Sequence, residues 1–170
     1  MARKLNIAVD CMSGDHGPRS NIHGILSFIT MVDNICLHLC GDETILTPLI
    51  PNELKSNIVI HHCELTLQND IKPSAALRLK EPTCLHLALD LLSNEIADMI
   101  VSSANTGAYM ALALKKIGLK EGVKRPAIGK ILPSFVPDSP SSETLILDLG
   151  ANIECSMDIL KSFMHMGCDY

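Results

Sequence analysis

Short apolar runs, each closed by small polar residues and followed by apolar residues at helical spacing, recur along this chain. Few folds accommodate that rhythm. Leu5 to Val9 is such a run, and "DCMSGDHGP" closes it with the punctuation of a strand end. Behind Pro18, which suits a first helical turn, Ile22, Ile25, Leu26, Ile29 and Val32 fall on one helical stripe. "ICLHLC" (35–40) and "NIVIH" (57–61) are two further strands, separated by a turn and short helix in "GDETILTPLI". A polar loop at 68–72 leads to two helical stretches, 73–80 and 83–93. The strand "DMIVSS" and a helix from Thr106 to Ile117 come next. Lys115 and Lys116 in that helix's last turn complement its dipole, and Gly118 closes it. "PAIGKIL" and "ETLILDL" predict two more strands about the Pro- and Ser-rich loop "PSFVPDSPSS", and 156–166 predicts a last helix, which Gly167 is placed to cap. Strands alternating with helices predict an α/β fold, a Rossmann-like three-layer sandwich around a mostly parallel open sheet.

With 170 residues, 47% of them apolar, the chain can bury the core of one ordinary domain. Aromatic residues make up only 3% and Trp is absent, so the core is aliphatic and a base-stacking platform is not expected. A net charge of −5 excludes nucleic acid as the main partner, because neutralising a phosphate backbone takes a concentrated basic surface. Seven dispersed cysteines, mostly within apolar runs, predict reduced thiols and a cytoplasmic location. The apolar part of "MARKLNIAVD" is too short for a signal-peptide core, and "GILSFITMV" falls far below a membrane span.

In such sheets ligands bind beyond the carboxyl ends of the strands. Three strand ends carry the chemistry for it: Ser13, Gly14, Asp15 and His16; then Ser103, Asn105, Thr106 and Gly107; then Asp148, Gly150 and Asn152. Each can turn backbone N–H groups outward, and the first two open directly into a helix whose N-terminus attracts anions. Phosphate or carboxylate is the ligand these neutral, donor-rich turns suit, although Asn105 also reads as a simple helix cap. Arg78, Lys80, Lys124 and Arg125 are the cations that could reach an anion; Lys124 reads better as a solvated charge, and Arg125, directly before a Pro and a strand, reads either way. Asp10 and Asp148 end strands and read as caps, orienters or ligands. Neither GxxxxGK[ST] nor GxGxxG occurs, which weakens ATPase and NAD readings. Cys36, His38 and Cys40 alternate along one strand, with His61, His62 and Cys63 in the next. A straight strand spaces such side chains too widely for one tetrahedral ion, so no metal is expected. His16 reads as an acid or base, or as a hydrogen-bonded loop residue.

"IAVDCMSGDHGP", "ALRLK", "ADMIVSSANTGAYMALAL", "KRPAIG" and "LILDLGANIECSMDILKSFMHMG" together resemble, in order and spacing, the PlsX family of bacterial phosphate acyltransferases of phospholipid synthesis. The chain departs from the family pattern at Ser13 and Ala104, where glycines are usual. It departs again across Lys80 to Cys84, where Glu81 and Pro82 replace a basic and polar stretch. The resemblance implies the fold shared by isopropylmalate dehydrogenases and phosphotransacetylases. It implies attack of inorganic phosphate on a fatty acyl chain carried by acyl carrier protein, a homodimer without cofactor, and peripheral association with the inner membrane. A short-chain phosphotransacetylase and a non-catalytic binding or assembly fragment are the alternative readings. Residues 1–170 correspond to the N-terminal part of the family's acyltransferase domain, and the remainder of that domain is expected beyond Tyr170.

Overall fold

The apolar run Leu5–Asp10 (β1) takes one of the two interior positions of a parallel sheet, because both of its faces and both of its edges find partners. Ile35–Gly41 (β2) pairs with one edge of β1 and Met99–Ser102 (β4) with the other, and Ile58–His62 (β3) adds outside β2. The order is β3-β2-β1-β4, all parallel. The computed structural model describes residues 3–133 and 143–170, in two compact units, Met1–Ile117 and Gly118–Tyr170.

In the first unit the two-residue period of the strands sorts side chains to two layers. Ile7, Val9, Leu37 and Leu39 face the helix Gly17–Ile29 (α1), which delivers Ile22 and Ile29, and the short helix Glu43–Leu46 (α2), which delivers Leu46. On the opposite face Ala8 and Cys40 meet Cys84, Ala88 and Leu91 of the helix Cys84–Ser93 (α4). A third cluster joins Ala76 of Pro73–Ala76 (α3) and Leu85 and Leu89 of α4 to Ala108 and Leu112 of Thr106–Lys116 (α5). These layers form the Rossmann-like sandwich that the alternation of elements predicts. Gly118 follows α5 at φ +85°, the left-handed conformation of a helix stop.

Three expectations are corrected. The stretch 73–80 forms only the single turn Pro73–Ala76, after which Arg78 N–H bonds to Ala75 and Leu79 N–H to Ala76 in tighter turns ahead of Pro82. Gly129–Pro133 (β5) and Glu143–Leu147 (β6) belong to the second unit and pair with each other, antiparallel, in a sheet of their own. The nine residues between them are fewer than the dozen or so that a parallel crossover needs. The last helix, Met157–Asp169 (α6), runs through Gly167 instead of stopping there. Residues 134–142, read above as a Pro- and Ser-rich loop, lie outside the described residues. Among the described residues no helix is long and apolar enough to cross a membrane.

The histidines of the "CLHLC" and "HHC" stretches have a structural role. His38 Nδ1 and His61 Nε2 lie 2.9 Å apart with stacked rings, and His38 Nε2 is 3.3 Å from Asn6 Oδ1. No cluster with the makings of a metal site occurs among the described residues. Burial holds both imidazoles below the usual histidine range, and it lowers His86, whose ring closes the capping box with Thr83, in the same direction. Below about pH 6.5 the unfolded chain therefore takes up protons that the folded chain refuses, and stability falls as pH falls from there toward the depressed values. The urea midpoint is expected to drop between pH 7.5 and 5.5. His38→Gln should flatten that dependence, and an unchanged slope would refute the account.

Candidate functional site

The chain leaves β1 toward β2 and β3, then returns to the far side of β1 for β4. Strand order therefore reverses between β1 and β4, and the crevice of an open α/β sheet lies beyond the carboxyl ends of that pair. Asp10 and Ser102, the last residues of the two strands, are register partners. The turns that follow them, 11–16 and 103–105, are the first two candidate loops.

Asp10 is 1% exposed, and its carboxylate ties the loops together. One oxygen accepts Ser102 Oγ–H at 2.8 Å, and the other accepts the backbone N–H groups of Met12 and Ser13 at 3.3 and 3.4 Å. Ser102 Oγ accepts Ala104 N–H at 3.1 Å in turn, while Ser103 Oγ donates to the Ser13 carbonyl at 2.8 Å. Asn21, one turn into α1, donates to the carbonyls of Cys11 and Ser13, both at 2.8 Å. Gly14 has φ +96°, and a Cβ there would meet Ser103 Cβ at 2.9 Å and Ser103 Oγ closer still. The loops thus interlock backbone against side chain, and a glycine is required where they touch.

Asn105 caps α5, accepting Ala108 N–H at 3.0 Å, so the bland reading of that residue holds. Its amide N–H also donates to the Asn69 carbonyl at 2.9 Å, and Asn69 Nδ2 donates to Asp15 Oδ1 at 2.7 Å. Asp15 therefore orients a chain of donors that ends at the cap. The intrahelical ladder reaches Tyr109 N–H, which bonds to Asn105 O, and the cap takes Ala108 N–H. Thr106 and Gly107 carry the amides that a helix start leaves without intrahelical acceptors. Thr106 is exposed, and no acidic side chain stands in the first turn. The dipole of α5 places about half a positive charge there. His16 precedes α1 as an exposed residue whose side chain makes no cap bond.

Ser13, Gly14, Asp15, Ser103, Asn105 and the α5 start thus come together in the first unit. Sequence reasoning missed Asn21 and Asn69, which hold the loops from outside. The polar stretch 68–72 was the available signal for Asn69, but nothing local says that it meets Asp15. The cysteines nearby are inert: burial, with Asp10 and Cys63 adding repulsion, pushes the Cys40 thiol up to about 12, and Cys11 and Cys84 rise in the same direction.

Arg125, Asp148, Gly150 and Asn152 belong to the second unit. Asp148, at φ +65°, accepts Asn152 Nδ2–H at 2.9 Å, Asn152 N–H at 3.1 Å and the Cys155 thiol at 3.4 Å. The Asn152 side chain, ahead of the other donors, holds its carboxyl below the usual range. Asn152 Nδ2 also donates to the Pro126 carbonyl at 3.1 Å, and Gly150 turns at φ +80°. Arg125 is exposed.

The family described as "fatty acid synthesis protein" matches residues 5–170. Among curated relatives the chain is similar to a phosphate acyltransferase of Vibrio parahaemolyticus, 34% identical over 168 residues, covering 97% of this chain and 48% of the relative. It is similar to that of Shewanella amazonensis, 36% identical over 166 residues, with 96% and 47% covered. The chain spans about half the length of these relatives.

Proposed function

The chain belongs to the fatty acid synthesis protein family, and from that premise we propose that it takes part in acyl transfer from acyl-[acyl carrier protein] to inorganic phosphate, giving acyl phosphate. A phosphate oxygen bonds to the thioester carbonyl carbon, the C–S bond breaks, and the carrier leaves as a thiolate that takes up a proton from solvent. Phosphate is already largely dianionic near neutrality, so the reaction asks for alignment and for donors at the developing oxyanion more than for a base. One observation carries the reading: at the β1/β4 switch point two loops are locked together by Asp10, and beside them α5 begins with neutral donors and no acidic residue. Ser13, Gly14, Asp15 and Ser103 give the turn its shape in this reading. Asn105 sets the start of α5, and Thr106 and Gly107 supply N–H groups to phosphate. His16, Arg125 and the loop carrying Asp148, Gly150 and Asn152 are candidates for further contacts.

The test is titration of the isotopically labelled protein with inorganic phosphate. The amide signals of 103–107 are expected to shift in a saturable way, and Thr106→Glu, an exposed substitution, to weaken binding at least tenfold by placing an anion at the helix start. Shifts confined to other regions, or binding indifferent to Thr106→Glu, would remove the support. Acyl phosphate formation from acyl-[acyl carrier protein], trapped with hydroxylamine, then tests the reaction itself.

A further inference from the structure

We propose that Cys63 and Cys84 are a reversible redox pair, which a peroxide converts from two free thiols into a disulfide tying the end of β3 to the start of α4. Neither the phosphate turn nor the acyl reaction enters into it.

Cys63 directly follows β3 and Cys84 is the first residue of α4, 21 positions later. The fold lays the two stretches side by side. Cys84 N–H donates to the Leu65 carbonyl at 2.8 Å, and the Cys84 thiol donates to the carbonyl of Cys63 itself at 3.2 Å. The Cys63 sulfur in turn lies 3.6 Å from the Leu65 carbonyl and 3.8 Å from that of Pro82, two residues before Cys84. Each thiol therefore rests on the backbone of the other's stretch. A disulfide needs such a neighbourhood, because its sulfurs close to about 2 Å with the Cα atoms roughly 4.4–6.8 Å apart.

The difference in exposure between the two sets the order of events. Cys84 is fully buried, whereas Cys63 is only partly so. Burial, and then the Cys63 thiol beside it, hold Cys84 as the protonated thiol, so an oxidant in solution finds it inert and meets Cys63 first. The Cys63 sulfur takes one oxygen of hydrogen peroxide, giving a sulfenic acid and releasing water. The Cys84 sulfur then bonds to the Cys63 sulfur, the S–O bond breaks, and the Cys84 proton leaves with the hydroxide as a second water. Two thiols and one peroxide give one disulfide and two waters. Cys40 adjoins both thiols and is the competing partner. The bond fixes the 63–66 stretch against α4, and Thr66 Oγ1 in that stretch lies 3.5 Å from Ser13 Oγ.

The experiment exposes the reduced, folded protein in dilute solution to a small excess of hydrogen peroxide, alkylates the remaining thiols and maps the peptides without reduction. The expected product joins Cys63 to Cys84, is lighter by two hydrogens, and reverts with dithiothreitol. Because a cross-link over 21 positions removes loop entropy from the unfolded chain, oxidation is expected to raise the folded-to-unfolded ratio at a fixed urea concentration by about tenfold or more. Cys84→Ser should leave Cys63 as a sulfenic acid that dimedone traps, and Cys63→Ser should leave Cys84 unoxidised. A link from Cys63 to Cys40, oxidation of Cys63 to the sulfinic acid in place of a link, or a link to Cys84 that forms only in urea would overturn the proposal. A linked protein less stable than the reduced one would overturn it equally, since the native fold would then not hold the two sulfurs in bridging geometry.

Discussion

Asp10→Ala is expected to destabilise the first unit by about 3 kcal/mol, because it strips the acceptor from one hydroxyl and two backbone N–H groups in a buried place. Each unsatisfied donor costs about 1–3 kcal/mol, and partial access of water to the loop side reduces the sum. Asp10→Asn keeps the volume and one acceptor oxygen, so a smaller loss of about 1–2 kcal/mol is expected. Urea unfolding followed by circular dichroism measures both. The same variants should release Ser102, and with it the Ala104 amide, so the phosphate-induced shifts at 103–107 should weaken as well. Loss of less than about 1 kcal/mol in Asp10→Ala would mean that the carboxylate does not hold the two strand ends together.

Gly14→Ala is expected to cost about 2–3 kcal/mol, through two separable causes. The left-handed φ of +96° disfavours any side chain, and the new Cβ would collide with Ser103. Ser103→Gly alone loses the bond to the Ser13 carbonyl, at about 1 kcal/mol. Combining it with Gly14→Ala removes the collision but leaves the backbone strain. The double variant should therefore be more stable than the sum of the single losses by about 1 kcal/mol or more, which a double-mutant cycle in urea reads directly. Strict additivity would show that the loops do not press on each other at this point.

How much of this was legible beforehand depended on how local its cause is. The strand runs at 5–9 and 35–40, the stripe of Ile22 and Ile29, and the stop at Gly118 follow from side-chain periodicity and backbone preference within a few residues, and the elements form over those patterns, each strand one residue longer. Asn105 was legible for the same reason, since a cap bonds to its own helix. The stretch at 73–80 misled because apolar spacing persists there, although Pro82 and the turn bonds of Arg78 and Leu79 end the helix early. Antiparallel pairing of β5 with β6 was hidden because alternation along a strand carries no information about its partner's direction.

By itself the amino-acid sequence determined most of the segments that become strands and helices, which turns carry donors, and that the core is aliphatic, since these follow from short-range sterics and composition. Only the tertiary structure decided that β4 returns to the open edge of β1, that Asp10 reaches Ser102 across 92 positions, and that Asn69 reaches Asp15 across 54. The physical reason is that strand order and long-range polar pairing depend on how separated surfaces bury one another. No window of the chain encodes that choice locally.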